Sequence, residues 1–442
     1  MSKKKQTLME ELSHRKFHQT NRFFYWIYKL IMVDIIAKKR YNIHIEDVDG
    51  FKKKKGPAII LFNHLSRIDH VYVLAATYPR RFNMLAEYNE FFRSHLKLAF
   101  KLNNVIPKKN YYSDIQSIKG MSSILRKGGT VAIAPEGLCS SYGTNKPIVP
   151  GTGKLLKKFG VPVYFCRLDG CYLQNTKVCL EERKGQTFAR ISLLYDKEAL
   201  DNKSVEEIDN EINNLFYSDE YKWNKEKHIK WETHGHICQS LEQLLYKCPK
   251  CGKEFTMKGI DDHIECTSCS NAATMDDYYE FHPYNEDCVI PESPLVWCDN
   301  ERMDVIKEIR KDDNYQYQEE CEIGNLDAYK PLKDYKTSKI VGKGIMTINH
   351  SGFHYQGTRN EEDFNLDMSW QQLYTIITVK DASYFSFYYK GEYFEFYPKS
   401  QAVGKILFLI EEMHRYHINF YKNFSWYDYM YEGLECGIDN KK

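Results

Sequence analysis

The apolar run Pro57-Ala58-Ile59-Ile60-Leu61-Phe62 reads as a buried strand of about 6 residues with a helix-like pattern behind it. Comparable runs place strands near 57–63, 130–134, 161–167 and 188–195. Helical periodicity falls near 67–78, 113–126, 152–159 and 204–217, and residues 223–246 also read as helical. Residues 285–335 mix Pro, Asp, Glu and Asn without a firm period and are expected to be a linker or irregular elements. From Ser338 onward short strands are predicted at 344–348, 352–355, 373–379, 384–389 and 393–397. Lys390-Gly391-Glu392 is a compact hairpin turn between the last two. A helix-like run, Ala402 to Tyr416, follows with Ile406, Leu407, Leu409, Ile410 and Met413 on its apolar positions.

Near the start, Phe23 to Ala37 is the most apolar stretch, but Lys29 and Asp34 interrupt it and a spanning helix needs about 20 predominantly apolar residues. Aromatics followed by basic residues suit a helix lying in a lipid headgroup layer, so residues 1–45 are read as an interfacial helix region. The competing reading is a helix packed on the following domain. The first 20 residues are polar and carry no pattern of a cleavable signal peptide. The net charge of +2 hides a polarity: residues 1–200 hold 35 Lys+Arg against 16 Asp+Glu, the remainder 27 against 44. Basic clusters at Lys3-Lys4-Lys5, Lys38-Lys39-Arg40 and Lys52-Lys53-Lys54-Lys55 flank apolar segments. Near an anionic leaflet each such residue is worth on the order of 1 kcal/mol. Nucleic acid is the rival partner for a basic half, and simple solvation the plain alternative.

Asn63-His64-Leu65-Ser66-Arg67-Ile68-Asp69 carries the candidate chemistry. The pattern puts His64 at a strand end and Asp69 about one helical turn further on. A neutral imidazole there can take a proton from a hydroxyl while the carboxylate fixes its tautomer. The bare spacing also suits a surface histidine with a solvated aspartate. Two further blocks alter the balance. Gly128 to Ala134 reads as a turn and strand ending in Pro135-Glu136-Gly137-Leu138-Cys139-Ser140. Lys146 to Phe165 contains Pro150-Gly151-Thr152-Gly153 and Gly160-Val161-Pro162-Val163.

In order and spacing these blocks resemble the lysophosphatidic acid acyltransferase family of glycerophospholipid acyltransferases, over roughly residues 20–220. The resemblance implies an α/β acyltransferase domain, placed at 46–245, with which the strands and helices above agree. It makes His64 the general base and Asp69 its orienting group. It implies that Asn63, Lys108, Lys109, Glu136, Gly137 and Ser140 shape the acceptor site, with Leu102 to Asn110 as the second block. The implied reaction moves a fatty-acyl group from acyl-CoA or an acyl-carrier protein to a hydroxyl of a lysophospholipid. The phospholipid chemistry favours a membrane partner over nucleic acid and a peripheral or monotopic protein at the cytoplasmic face. The chain departs from the family where Asn110 and Cys139 stand at positions usual for arginines, implicated in holding the acceptor and its phosphate, and where Leu138 replaces a threonine. Lysine binds phosphate only as a point charge. An inactive family member acting as a lipid-binding or scaffold protein is the alternative.

Thirteen cysteines, odd in number and scattered, are unlike a disulfide framework. Four stand apart. Cys248-Pro249-Lys250-Cys251 and Cys266-Thr267-Ser268-Cys269 are two Cys-x-x-Cys knuckles that can close a tetrahedron around Zn²⁺. They resemble a zinc ribbon, placed at 246–280, and four protein ligands make the metal structural. Asp261, Asp262, Glu265, Asp276 and Asp277 make the ribbon acidic, which disfavours nucleic acid. The strands closed by a helix resemble a pleckstrin-homology-like (PH-like) domain, placed at 336–425 with a tail at 426–442. Its protein partner is left open.

Overall fold

The structure, a computed structural model, describes residues 7–112, 114–179, 181–329, 331–332 and 337–418. The cluster Lys3-Lys4-Lys5 and the tail 426–442 lie outside the described residues. The first half is built on β1 (Asn42–Asp47), β2 (Ala58–Phe62), β3 (Asn83–Glu87), β4 (Ile106–Lys108), β5 (Thr130–Ile133), β6 (Val163–Asp169) and β7 (Gln186–Tyr195). They form one sheet in the order β1-β7-β6-β2-β5-β3-β4. Every residue of β2 is buried, and β5 and β6 flank it in parallel. A strand covered on both faces must be apolar throughout, which is why this run is unbroken. Only β7 runs antiparallel to its neighbour β6. The expected strands correspond to β2, β5, β6 and β7; β1, β3 and β4 are additional.

The helices Asp69–Thr77, Ile115–Leu125, Thr152–Phe159 and Val205–Phe216 lie where periodicity put them. Gly153 is needed for the last two to pack: a Cβ there would meet the Val205 carbonyl at 2.8 Å. The helix expected over 223–246 is a correction. It spans only Glu220–Lys227, stops where His228 turns left-handed at φ 50°, and gives way to turns and a short 3₁₀ segment, Leu241–Gln243.

Near the N-terminus, the helix Arg22–Lys29 runs on as a π-helical segment, Leu30–Ala37. The two charges that interrupt the apolar stretch meet, Lys29 Nζ lying 2.6 Å from Asp34. Tyr25, Val33 and Ala37 are buried against the domain, while Phe23, Trp26, Ile31 and Ile35 are exposed. The segment therefore both packs inward and presents an apolar outer face. No helix among the described residues is long and apolar enough to cross a membrane.

Four short antiparallel strands, β8 (Met257–Ile260), β9 (His263–Cys266), β10 (Ala272–Met275) and β11 (Phe281–Pro283), follow in the order β11-β10-β9-β8. The expected linker at 285–335 is a second correction. Pro294–Lys311 is a helix of 18 residues, capped by Ser293 with proline in its first turn. Behind it comes β12 (Gln316–Leu326), the first strand of the last domain. With β13 (Ser338–Asn349), β14 (Gly352–Arg359), β15 (Glu362–Met368), β16 (Ile377–Thr378), β17 (Phe385–Tyr389) and β18 (Glu392–Pro398) it makes a seven-stranded antiparallel sheet. Its order is β15-β14-β13-β12-β18-β17-β16. The strand expected at 373–379 shrinks to the two residues of β16, and β15 was not anticipated. The helix Val403–Ile418 is buried from Val403 to Arg415.

The parts share one core. Trp231, Tyr246, Trp297, Ile323 and Phe408 belong to the same buried cluster as β2 and β6. At its centre sits an ionic knot of side chains from three parts of the chain. Arg302 reaches Glu411 and Glu412, each at 2.7 Å, and Lys146 reaches the other oxygen of Glu411 at 2.7 Å. Tyr142 accepts a further bond from Arg302 at 3.0 Å.

Candidate active site

β2 and β5 are parallel neighbours, so both deliver the residues after them to the carboxyl edge of the sheet, where open α/β sheets form their crevices. β2 ends in Asn63-His64, and β5 leads into Pro135-Glu136-Gly137. Two bonds stitch these loops: the His64 N–H donates to Glu136 Oε1 at 2.9 Å, and the Ser140 N–H donates to the His64 carbonyl at 2.7 Å. His64 Nδ1 lies 2.8 Å from Asp69 Oδ2. Asp69 is buried and is itself fixed by Ser66, whose N–H and hydroxyl donate to its Oδ1 at 3.0 and 2.8 Å. A carboxylate accepts only, so Nδ1 carries the proton and Nε2 keeps its lone pair.

His64 opens on a cavity of about 780 Å³, within the roughly 300–1,000 Å³ range of small-molecule sites. Most of its wall is apolar, including Tyr25, Phe82, Leu85, Phe100, Met121 and Leu156. Its polar part includes Arg67, Lys108, Asn110 and Lys177. The C-terminal domain closes one side through Ile377, Thr378 and Val379. Nearby, Leu138 packs with Ile377, Tyr388 and Tyr393.

The acceptor-side candidates divide. Lys108 and Gly137 line the cavity. The Lys108 ammonium turns back to the Lys109 carbonyl at 2.6 Å. Gly137 takes φ +79°, and a Cβ there would meet the Tyr111 ring at 3.3 Å. Asn63 is fully buried and its amide serves the Leu168 backbone, donating to the carbonyl and accepting from the N–H at 2.8 Å each; it ties β2 to β6. Ser140 Oγ donates to the Thr144 carbonyl at 2.7 Å and holds its own turn. Lys109 points to the C-terminal domain, with its ammonium 3.3 Å from the Gly391 carbonyl. Glu136 is buried between the N–H groups of His64 and Lys146, and burial pushes its carboxyl up to about 8 against their pull. Sequence reasoning passed over Arg67, Lys177, Glu87 and Thr378. Arg67 stands between His64 and Asp69 and was open to notice; the others belong to no motif. Burial raises the Glu87 carboxyl to about 8, and the Tyr388 hydroxyl donates to it at 2.7 Å. His70, half-buried and stacked on Tyr28, is pulled down to about 4 by desolvation and stays neutral.

The four knuckle cysteines converge, their sulfurs all within 4.8 Å of one another. Cys248 and Cys269 Sγ are 3.6 Å apart and Cys251 and Cys266 Sγ 3.8 Å. Thiolates about 2.3 Å from a tetrahedral zinc sit about 3.8 Å apart, whereas a disulfide requires about 2.05 Å. Backbone N–H groups of Lys250 and Cys251 reach the Cys248 sulfur, as knuckle turns require. The group is compatible with a metal site. His263 is engaged by Glu265 and Tyr284 instead.

Residues 42–168, from β1 to the end of β6, match the family model described as Acyltransferase. A 158-residue stretch is 28% identical to the chloroplastic 1-acyl-sn-glycerol-3-phosphate acyltransferase LPAT1 of Arabidopsis thaliana, covering 35% of this chain and 42% of that protein. The chain thus spans less than half the length of this relative. Among solved structures, the 1-acyl-sn-glycerophosphate (LPA) acyltransferase PlsC of Thermotoga maritima is similar with a TM-score of 0.37 and 18% identity, over 44% of this chain and 75% of that one. Over residues 42–168 the chain is thus similar to the acyltransferase family.

Proposed function

We propose that the chain is an O-acyltransferase that moves a fatty-acyl group from a thioester donor, acyl-CoA or an acyl-carrier protein, to a hydroxyl of lysophosphatidic acid or a related lysophospholipid. The observation that carries this reading is the His64–Asp69 pair, at 2.8 Å, opening on a mostly apolar cavity of about 780 Å³. In the proposed reaction His64 Nε2 takes the proton of the acceptor hydroxyl as its oxygen attacks the thioester carbonyl. Asp69 holds the ring and stabilises the imidazolium. The tetrahedral oxyanion collapses, the carbon–sulfur bond breaks, and the departing thiolate recovers the proton from His64. No serine nucleophile is required, because the acceptor supplies the attacking oxygen. The apolar wall suits an acyl chain.

Three further assignments belong to this reading. The four cysteines hold a structural Zn²⁺ in a ribbon, leaving no open position for catalysis. The seven strands and closing helix make a PH-like domain. The exposed Phe23, Trp26, Ile31 and Ile35 seat the protein peripherally on a membrane. The intact His64–Asp69 geometry speaks against an inactive scaffold.

The test is His64→Ala in detergent micelles with lysophosphatidate and acyl-CoA, read by lipid mass spectrometry. Turnover should vanish while the melting temperature is unchanged; near-normal turnover in the folded variant refutes the proposal.

A further inference from the structure

The cavity beside His64 is apolar over most of its wall, yet it contains a lysine whose ammonium has no carboxylate at bonding distance among the described residues. Lys177 lies in the loop after the short helix Cys171–Gln174, is only 8% exposed and lines the cavity. Among the described residues no carboxylate or other acceptor bonds to its ammonium. The thiol of Cys139 would act most strongly on it if ionised, but burial pushes that thiol up to about 12, so it carries no charge. Glu90, whose field also reaches Lys177, is held by Arg93 at 2.9 Å. Lys146 is committed to Glu411. Arg67, anchored through Nε on Asn175 at 2.7 Å, lines the same cavity and adds to the positive field at Lys177. A buried ammonium without a counter-charge is expensive, which points to an anion supplied from outside the chain.

The position of Lys177 is set from far away in sequence. Its carbonyl accepts the Asp381 N–H of the C-terminal domain at 3.0 Å. The same segment puts Ile377, Thr378 and Val379 into the cavity wall and is tied to Ser141 through Thr378 at 3.3 Å. Meanwhile Asn110 and Cys139, the two motif positions facing this cavity, bring no charge.

We propose that Lys177, held in place by the C-terminal domain and supported by Arg67, binds the phosphate of the acyl acceptor and selects a phosphorylated acceptor over a neutral one. This rests on the acyltransfer reading above. A phosphate oxygen reaching the ammonium forms a charge-assisted bond and supplies the missing counter-charge. A monoacylglycerol, identical but for the phosphate, leaves the ammonium as it is.

The experiment uses the full chain, with Lys177→Met and Lys177→Arg assayed on lysophosphatidate and on monoacylglycerol, each with acyl-CoA. Losing one charge-assisted bond should raise the lysophosphatidate KM of K177M by about 10- to 100-fold. The KM for acyl-CoA and the rate with monoacylglycerol should stay within about twofold, since those steps do not use the ammonium. K177R should retain the preference for the phosphorylated acceptor, and the melting temperature of K177M should equal or exceed that of the wild type. A folded K177M with an unaltered lysophosphatidate KM, beside an active wild type, overturns this inference alone. So does a rise confined to the KM for acyl-CoA, which would assign the ammonium to the donor's phosphates. A wild type that acylates no lysophospholipid removes the acyltransfer reading itself, and this inference with it.

Discussion

Asp69→Asn keeps the side chain's shape and deletes its charge, which makes it the sharpest test of how His64 works. Asp69 Oδ2 lies 2.8 Å from His64 Nδ1 and the carboxylate is buried, with its position set by Ser66. At that separation and an effective permittivity near 20, the attraction between imidazolium and carboxylate is about 6 kcal/mol. The charge on the ring exists only while it holds the acceptor's proton, so this attraction acts on the transition state and not on substrate binding. With one decade per roughly 1.36 kcal/mol, its complete loss is about four orders of magnitude in kcat. The Asn carbonyl returns part of it as a neutral acceptor, so the expected fall is about 10²- to 10⁴-fold, with the acceptor KM unchanged. The same change in a Ser-His-Asp triad costs about 10⁴. Initial rates at saturating acyl-CoA and varied lysophosphatidate, with melting curves on the same preparations, measure both quantities. A folded D69N that keeps kcat within about tenfold would refute the base assignment, because no general base could lose so much electrostatic support at so small a cost.

The ionic knot makes an acid-stability prediction. Burial pushes the Glu411 carboxyl up, but the Lys146 ammonium and Arg302 guanidinium outweigh it and hold the group at about 2 against an ordinary 4.5. A depressed carboxyl contributes stability above its unfolded value that is lost as pH falls through the folded one, here about 3 kcal/mol between pH 4.5 and 2. Urea unfolding across that range should show this slope in the wild type and lose it in Glu411→Gln, with E411Q less stable at neutral pH; superimposable pH profiles would contradict it. For the four cysteines, elemental analysis should find about one zinc per chain, and a strong chelator or Cys251→Ser should lower the melting temperature because the ribbon shares the core. A metal-free chain with an unaltered melting curve upon chelation would remove the zinc assignment.

What was legible in the sequence was local. His64 and Asp69 are five residues apart, and the knuckle cysteines pair within four-residue turns, so both groups are assembled by backbone that is contiguous or nearly so. β2, most of β5 and the first four residues of β6 were legible because strands covered on both faces are largely apolar. β4 has only three residues, β3 begins and ends on polar Asn83 and Glu87 without alternation, and β1 is largely exposed and polar. The helix Pro294–Lys311 was obscured by its own buried face, where Glu301 and Arg302 interrupt Leu295, Cys298, Val305 and Ile309. Those charges are tolerated because the Lys247 N–H, at 2.8 Å, and the two glutamates of the last helix come to meet them. No window of sequence displays such partners. β15 was legible and missed: Phe364, Leu366 and Met368 alternate with polar residues. Asn63 drew attention because it adjoins His64 in the motif, yet its amide is consumed by Leu168. Lys177 becomes notable only when its surroundings are known.

The strip Ile377–Val379 divides labour along the chain. In the proposed reaction the proton-transferring pair is encoded early, beside β2, whereas part of the cavity wall is encoded late, by the C-terminal sheet. Selectivity can therefore drift while the reaction stays fixed. A substitution at Thr378 would remodel the wall facing Ser141 without touching His64, and swapping the downstream module would retune which molecules are admitted to unchanged chemistry.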